Sequence, residues 1–284
     1  MANRTRYING IDGGPGSIPT LNDSTLSITT FKNFEILLKK STGGGTTFTN
    51  GIVSTYSLVY TGDRIYIGGV LAPNGDIHFV PYNANIGQKI NSSGIVATYP
   101  LAYTVSGAYY GSVLAPNGDV HFIPCYATVG QKINSAGVVS TYSLIYTNAT
   151  GAYYGGVLAT NGDVHFVPAY ATVGQKIDIN GVVSTYSLVY TTSAAYLGGV
   201  LAPNGEIHFV PNSAIVGQKI DINGVVSTYS LVYTLANAFR GGILDLNNNI
   251  YFIPASATVG QKIFILPGIP FTKTTCLSSF FNKF

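Results

Sequence analysis

Short apolar runs alternate with turn residues along most of the chain, in a pattern that predicts β-strands. In one unit, residues 109–115 are followed by Pro-Asn-Gly at 116–118, where the Asn-Gly pair is a common signal for a two-residue hairpin. Further runs at 119–124 and 131–134 precede a fourth, 138–146, in which apolar and polar side chains alternate. These runs predict four consecutive strands, A to D, joined by short turns.

This four-strand unit is repeated along the chain. The sequence of strands A and B, GGVLAPNGDIHFVP from Gly68, recurs at intervals of 43 or 44 residues, starting at Gly111, Gly155, Gly198 and Gly241. The strand D sequence also occurs five times, and its first copy, residues 51–60, precedes the first copy of strand A. A repeat of this length with four strands is typical of the blades of a β-propeller.

The sequence therefore predicts an all-β fold, a five-bladed β-propeller of four-stranded blades of about 43 residues over residues 51–265. Because the fifth unit has no strand D of its own, we expect residues 51–60 to complete it and close the ring, which leaves no open strand edge. The repeat is preceded by an N-terminal arm (1–40) that can hold a docking hairpin and by a Gly/Thr-rich linker (41–50), and it is followed by a C-terminal tail (266–284).

The repeated unit resembles known propeller sequences. Its architecture is similar to that of the five-bladed tachylectin-type lectins, and the GGVL–PNG–HFVP unit is similar to uncharacterised propeller repeats of large DNA viruses and phages. The resemblance covers residues 51–265 and implies the propeller fold. It further implies two functions as expectations, sugar binding and a place on a virus particle, although no ligand motif of the lectins aligns residue by residue with this chain.

Composition narrows the possible functions. Only 9% of the residues are charged and the net charge is +3, so no basic tract marks the chain for nucleic acid. Two cysteines form neither a disulfide framework nor a metal-binding spacing, and we expect no metal and no cofactor. No apolar run is long enough to span a bilayer, and no signal peptide is visible. We therefore expect no membrane insertion and a location on a virion or particle surface, or otherwise in the cytoplasm.

A Gly-Gln-Lys triplet in each unit supplies the first candidate ligand contacts. The acids fall near the A–B and C–D turns, whereas the triplets open strand C, so we expect an acidic end and a basic end of the ring. The basic end serves either solubility or the binding of an anionic or sugar ligand. The candidate residues are Lys89, Lys132, Lys176, Lys219 and Lys262, with Gln88, Gln131, Gln175, Gln218 and Gln261.

Histidine and tyrosine recur at further fixed positions of the repeat. Strand B carries one histidine in each of the first four blades and Tyr251 in the fifth. The histidine is either a core residue or a contact in a recurring ligand pocket, and one histidine per blade is too dispersed to hold zinc. The first residue of strand A is tyrosine in several blades and either packs in the core or stacks on sugar rings. The candidates are His78, His121, His165 and His208, with Tyr109, Tyr153 and Tyr196.

Nothing in the sequence matches a known catalytic motif, and nearly identical units favour repeated binding contacts over one asymmetric reaction centre. We therefore expect a non-enzymatic binding or structural protein, virion-associated and anchored by residues 1–47, that presents a loop face to a glycan or to a neighbouring structural protein. The alternative is a free, soluble, multivalent carbohydrate-binding lectin. An enzyme is the third alternative.

Overall fold

The computed structural model describes residues 53–265, and the predicted N-terminal arm, linker and C-terminal tail lie outside these residues. The described part contains 19 β-strands and no helix, arranged in five antiparallel sheets. The first sheet consists of β1 (Tyr66–Leu71), β2 (Ile77–Pro81), β3 (Ile86–Ile90) and β4 (Val96–Pro100).

The next three sheets repeat this order. The second holds β5 (Tyr109–Leu114), β6 (Val120–Pro124), β7 (Val129–Ile133) and β8 (Val139–Ser143); the third holds β9 (Tyr153–Leu158), β10 (Val164–Pro168), β11 (Val173–Ile177) and β12 (Val183–Ser187); the fourth holds β13 (Tyr196–Leu201), β14 (Ile207–Pro211), β15 (Val216–Ile220) and β16 (Val226–Ser230). The fifth sheet has three described strands, β17 (Phe239–Leu244), β18 (Asn249–Pro254) and β19 (Gln261–Phe264).

Two local details differ from the sequence prediction. The A–B turn is a three-residue loop, in which the Ala115 N–H donates to the Asp119 carbonyl over 2.8 Å and Gly118 takes a φ of 85°. Pro116 explains this, because its fixed φ suits the second position of a type I turn. Strand C begins at Val129, two residues before the predicted start, since the apolar residue before the Gly-Gln pair also pairs with strand D.

The hydrophobic core lies between neighbouring sheets. Ala72 and Val80 of the first sheet pack against Tyr109, Val120 and Phe122 of the second, and these five side chains are at most 9% exposed. Equivalent clusters join the third sheet to the second, the fourth to the third and the fifth to the fourth. Each sheet therefore contributes one face to each neighbour, and the burial of apolar area between sheets stabilises the array.

The A strands of successive sheets lie side by side along the inner edge. Contacts join β1 to β5, β5 to β9, β9 to β13 and β13 to β17. A Cβ atom on Gly111 would lie 3.1 Å from the Cα of Gly155, and one on Gly198 would lie 3.3 Å from the Cα of Gly241. Glycine is required here because two backbones approach too closely for a side chain.

The predicted all-β fold of five repeated antiparallel sheets is confirmed. The N-terminal copy of strand D is used differently, because residues 53–60 form no strand in the structure. The Val59 and Tyr60 N–H groups donate to the Oε1 of Gln88 over 3.0 and 2.8 Å, as their counterparts Ala102 and Tyr103 do to Gln131. Among residues 53–265, β19 is the last strand of the fifth sheet.

Candidate functional site: a row of tyrosines on one loop face

The glutamines of the triplets connect neighbouring blades. The Oε1 atom of Gln131 accepts the N–H groups of Ala102 and Tyr103, which follow the last strand of the preceding sheet, over 2.8 and 2.9 Å. The corresponding oxygens make the same pair of bonds at Gln88, Gln175, Gln218 and Gln261. The first four of the five side chains along the chain are fully buried. These contacts give the glutamines a structural role in place of the predicted ligand contact.

The lysines do not form a basic end, and that prediction is wrong. Lys132 Nζ lies 2.7 Å from an Asp119 carboxylate oxygen, and the same pairing joins Lys89 to Asp76 and Lys176 to Asp163. Lysine is the fourth residue of a five-residue strand C, so it lies near the C–D turn and at the same end as the A–B turn. Lys219 pairs with Glu206, and Lys262 lies over the rings of Tyr251 and Phe264.

The histidines are buried core residues. His121 contacts the ring of Tyr142 edge to face at 5.6 Å, and the Nδ1 atom of His165 lies 3.3 Å from the Tyr186 hydroxyl. Burial lowers the pKa of both His121 and His165 to about 4, so both are neutral at physiological pH. His78 and His208 are equally buried, and burial also lowers the pKa of each.

The predicted stacking tyrosines belong to the core as well. Tyr109, Tyr153 and Tyr196 are fully buried, and their hydroxyls donate to backbone carbonyls of strand C in their own sheets over 3.0–3.2 Å. Burial strongly raises the pKa of each hydroxyl. These side chains fill the inter-sheet core and leave no aromatic surface for a ligand.

A different set of tyrosines forms a partly exposed row across the first three sheets. Tyr110 in β5 and Tyr154 in β9 are stacked face to face, with ring centroids 4.5 Å apart and planes inclined by 9°. Tyr82, after β2, meets Tyr110 edge to face at 6.1 Å, and Tyr170, after β10, meets Tyr154 in the same way at 6.1 Å. All four rings are half-buried. We call Tyr82, Tyr110, Tyr154 and Tyr170 the tyrosine row.

Backbone contacts between sheets hold the row in place. The Ala108 N–H donates to the Tyr82 carbonyl over 2.9 Å, which brings the B–C loop of the first sheet beside the start of β5. The side chain of Asn83 reinforces this contact by accepting from Ser106 and Gly107. The tyrosine row therefore lies on a scaffold of inter-sheet hydrogen bonds, at the end that carries the B–C and D–A loops.

Two further side chains adjoin the row. They lie near the hydroxyl of Tyr154: Tyr126, a tyrosine of the second B–C loop that is 36% exposed, and Cys125. Cys125 is buried, and burial raises the pKa of its thiol to about 12. The thiol is thus uncharged and unreactive at neutral pH, and its role here is to support the tyrosine ring.

The row was missed because sequence reasoning concentrated on positions that are equal in every repeat. At the Tyr110 and Tyr154 position the other three blades carry Ile67, Leu197 and Arg240, and at the Tyr126 and Tyr170 position the last two carry Ser213 and Ser256. The signal that could have revealed the site is this variation within otherwise similar units. It concentrates aromatic residues in blades one to three and gives the face a single asymmetric site.

A second depression lies at the opposite end, between the third and fourth sheets. Its volume is about 120 Å³, and it is lined by Thr160, His165, Lys176 and the turn at Asp221. The A–B turns of the first, second and fourth sheets carry proline at the position of Thr160. Lys176 is paired with Asp163, and the polar side chains of Thr160, Asn161 and Asn223 also line the depression.

Among residues 53–265, no three histidine, cysteine or acidic side chains are grouped so that they could hold a metal ion. No helix that is long and apolar enough to cross a membrane occurs in this part of the chain.

Comparison with known proteins identifies the fold but no family. No protein-family model matches the chain, and no curated protein matches its sequence. Among solved structures, a catalytically inactive virginiamycin B lyase from Staphylococcus aureus with quinupristin is 17% identical, with a TM-score of 0.64 over 75% of this chain and 74% of that chain. A streptogramin B lyase is 22% identical, with a TM-score of 0.61 over 74% and 72%.

These matches correct the expectation that the chain is not an enzyme. Both of these solved structures are lyases, so this arrangement of sheets supports catalysis in other proteins. Near-identity of the repeats was the reason for excluding chemistry, and the tyrosine row shows that the blades differ where their loops meet. At these levels of identity the likeness shows the fold alone, and no reaction is transferred to this chain.

Proposed function

We propose that this chain is a carbohydrate-binding propeller whose ligand site is the tyrosine row. The observation that carries the proposal is the group of four half-buried aromatic rings, continuous across three sheets, with the stacked pair Tyr110 and Tyr154 at its centre. A binding role is consistent with a fold in which rigid sheets hold variable loops at one end. The row is rigid and shared between blades, as expected of a preformed binding surface.

The chemistry of the row suits a sugar. A tyrosine ring offers an apolar face to the C–H groups of a pyranose, and its hydroxyl can donate to or accept from sugar hydroxyls. Buried Cys125 and the inter-sheet hydrogen bonds fix the rings before a ligand arrives, which reduces the entropic cost of binding. The four rings carry no charge themselves, and the Arg64 guanidinium lies near Tyr82 at one end of the row.

The test is a glycan array probed with the full chain, followed by calorimetric titration of the best ligand. Tyr110→Leu and Tyr154→Leu are suitable variants because the fourth blade has Leu197 at this position. We expect each to weaken binding at least about tenfold, the equivalent of ~1.4 kcal/mol. Val138→Ala, in an exposed turn at the other end, should bind as the parent does. If the folded parent binds no glycan on the array, or if both leucine variants bind as tightly as the parent, the proposal is refuted.

A location on a virus particle is proposed from the sequence alone. It is supported by the resemblance of the repeat to viral propeller units and by the separate segment of residues 1–47 with its Gly-rich linker. Deletion of residues 1–47 should abolish sedimentation with the particle while sugar binding by the propeller persists. A free lectin would keep its sugar binding and would not sediment with particles even when the segment is intact.

A further inference from the structure

The fifth sheet exposes an apolar face that the other sheets bury. Ile243 in β17 and Ile253 in β18 are 60% and 48% exposed. Their counterparts in the second sheet, Val113 and Ile123, are 9% and 0% exposed because the third sheet covers them. No described sheet follows the fifth, so this face has no cover among residues 53–265.

The first sheet exposes the face that, in the other sheets, packs on the preceding sheet. Leu71 in β1 and Ile77 in β2 are 60% and 39% exposed, whereas Val120, the counterpart of Ile77 in the second sheet, is 1% exposed. Val120 is buried because the first sheet packs on it. The face of the first sheet that would receive a preceding blade is therefore uncovered among the described strands.

The two uncovered faces are the two halves of an interface that the chain builds four times. In that interface, apolar side chains of one sheet cover a small residue on strand A of the next. A Cβ atom on Gly242 would lie 2.7 Å from Val200 and 2.9 Å from Val210 of the preceding sheet, and one on Gly156 would lie 2.7 Å from Ile123. Gly69 holds this position in the first sheet, and only atoms of its own sheet lie near it.

We propose that the fifth sheet of one molecule packs on the first sheet of a second copy of this chain. The repeat occurs five times in the sequence, so the surface that matches the exposed face of the fifth sheet is that of the first sheet. Within one molecule, β17 and β1 do not make the contacts that join the other neighbouring A strands. The second copy supplies the missing partner. The contact is head to tail and repeats the internal interface, and it presents a tyrosine row on each copy.

A head-to-tail contact has a specific consequence. Each molecule retains one free face after pairing, so association continues to a closed ring or to a filament. We expect the mass of the full chain in solution to rise with concentration. Isolated exposed apolar residues are common on protein surfaces, but two matching faces at opposite ends of one array predict association.

Two single variants test the proposal because each blocks a different end. Ile253→Lys blocks the fifth sheet and Leu71→Asp blocks the first, and we expect each to stop at the monomer in sedimentation velocity. Mixed in equal amounts, they should form a one-to-one dimer through their remaining intact faces. Val138→Lys, which changes a residue of similar exposure in a turn, should associate as the parent does. A parent that remains monomeric up to about 100 µM, or a mixture that forms no dimer, would overturn the proposal.

A cross-linking experiment separates a second copy from closure within one molecule. Gly69 and Ile253 hold the positions whose counterparts touch inside the chain, for example Gly156 and Ile123. In a Cys276→Ser background, the Gly69→Cys, Ile253→Cys variant should form disulfide-linked dimers and larger species on a non-reducing gel. A cross-linked product of monomer size would show that the chain closes on itself and would overturn the proposal. Circular dichroism of the reduced variant establishes that it is folded.

Discussion

The ring of Tyr142 in β8 lies directly over Gly130 in β7, its cross-strand neighbour. A Cβ atom at Gly130 would overlap the ring. The same arrangement joins strands C and D in the first, third and fourth sheets, in the pairs Gly87 and Tyr99, Gly174 and Tyr186, and Gly217 and Tyr229. The glycine of the Gly-Gln-Lys triplet therefore leaves space for the ring of a tyrosine on the next strand, and this explains why glycine recurs at this position.

Replacing this glycine should destabilise the fold. We expect Gly130→Ala to lower the free energy of unfolding by roughly 1–3 kcal/mol, because the added methyl group displaces the partly buried ring of Tyr142. Gly260, the corresponding residue of the fifth sheet, has no atom within 4 Å of an added Cβ and provides a matched control. Urea unfolding of both variants measures the difference, and equal effects would show that the overlap has no cost.

Removing the inter-sheet glutamine should be more damaging than its size suggests. Gln131→Leu keeps the buried volume but leaves the Ala102 and Tyr103 N–H groups without an acceptor. We expect a loss of about 1–3 kcal/mol in unfolding free energy, because the N–H of half-buried Tyr103 is left unpaired whereas water can reach the exposed Ala102. Thr141→Ala, at the exposed residue opposite Gln131 on β8, should change it by less than about 0.5 kcal/mol. Thermal and urea unfolding of the two variants measure the difference, and equal losses would contradict the prediction.

The Lys89 and Asp76 pair should give stability that depends on acid pH. The hydrogen bond from Lys89 holds the pKa of Asp76 below its usual value, so the pair stabilises the fold at neutral pH and this contribution is lost as the pH falls through that pKa. We expect Lys89→Met to cost roughly 2 kcal/mol at pH 7 and less below pH ~4. Lys262→Met removes a lysine that lies over two rings, so its effect should not follow this pH dependence.

The buried histidines should make the protein less stable in mild acid. Burial lowers the pKa of His121 and His165 to about 4, so the unfolded chain takes up protons at higher pH than the folded one. Their contribution is complete above an unfolded pKa of about 6.5 and is lost as the pH falls to about 4, on the order of 3 kcal/mol for each. We expect His121→Gln to reduce the slope of unfolding free energy between pH 6.5 and 4. An unchanged slope would show that His121 is charged in the folded state.

Particular residues show how far sequence reasoning reached. The turn signals and the repeat spacing predicted strands A, B and C of all five sheets, and the alternation in strand D predicted β8, β12 and β16 within a few residues. The strand expected to complete the fifth sheet is not formed by residues 53–60. The prediction of the end at which the lysines lie was wrong because it depended on where strand C begins. Strand C begins two residues earlier than predicted, which places Lys132 at the end that carries Asp119. The roles of Gln131 and Tyr110 depend on partners in other blades, which no local pattern contains.

The sequence by itself determined the number of blades, their order and their strands, because these follow from local turn chemistry and from a period repeated five times. Only the tertiary structure decided which tyrosines are buried, which lysines are paired with acidic side chains and which sheet faces remain uncovered. The physical reason is that each of these properties depends on the distance between groups from different strands or sheets. Tyr109 and Tyr110 are adjacent in sequence, yet packing between sheets buries the first fully and places the second in a row of half-buried rings.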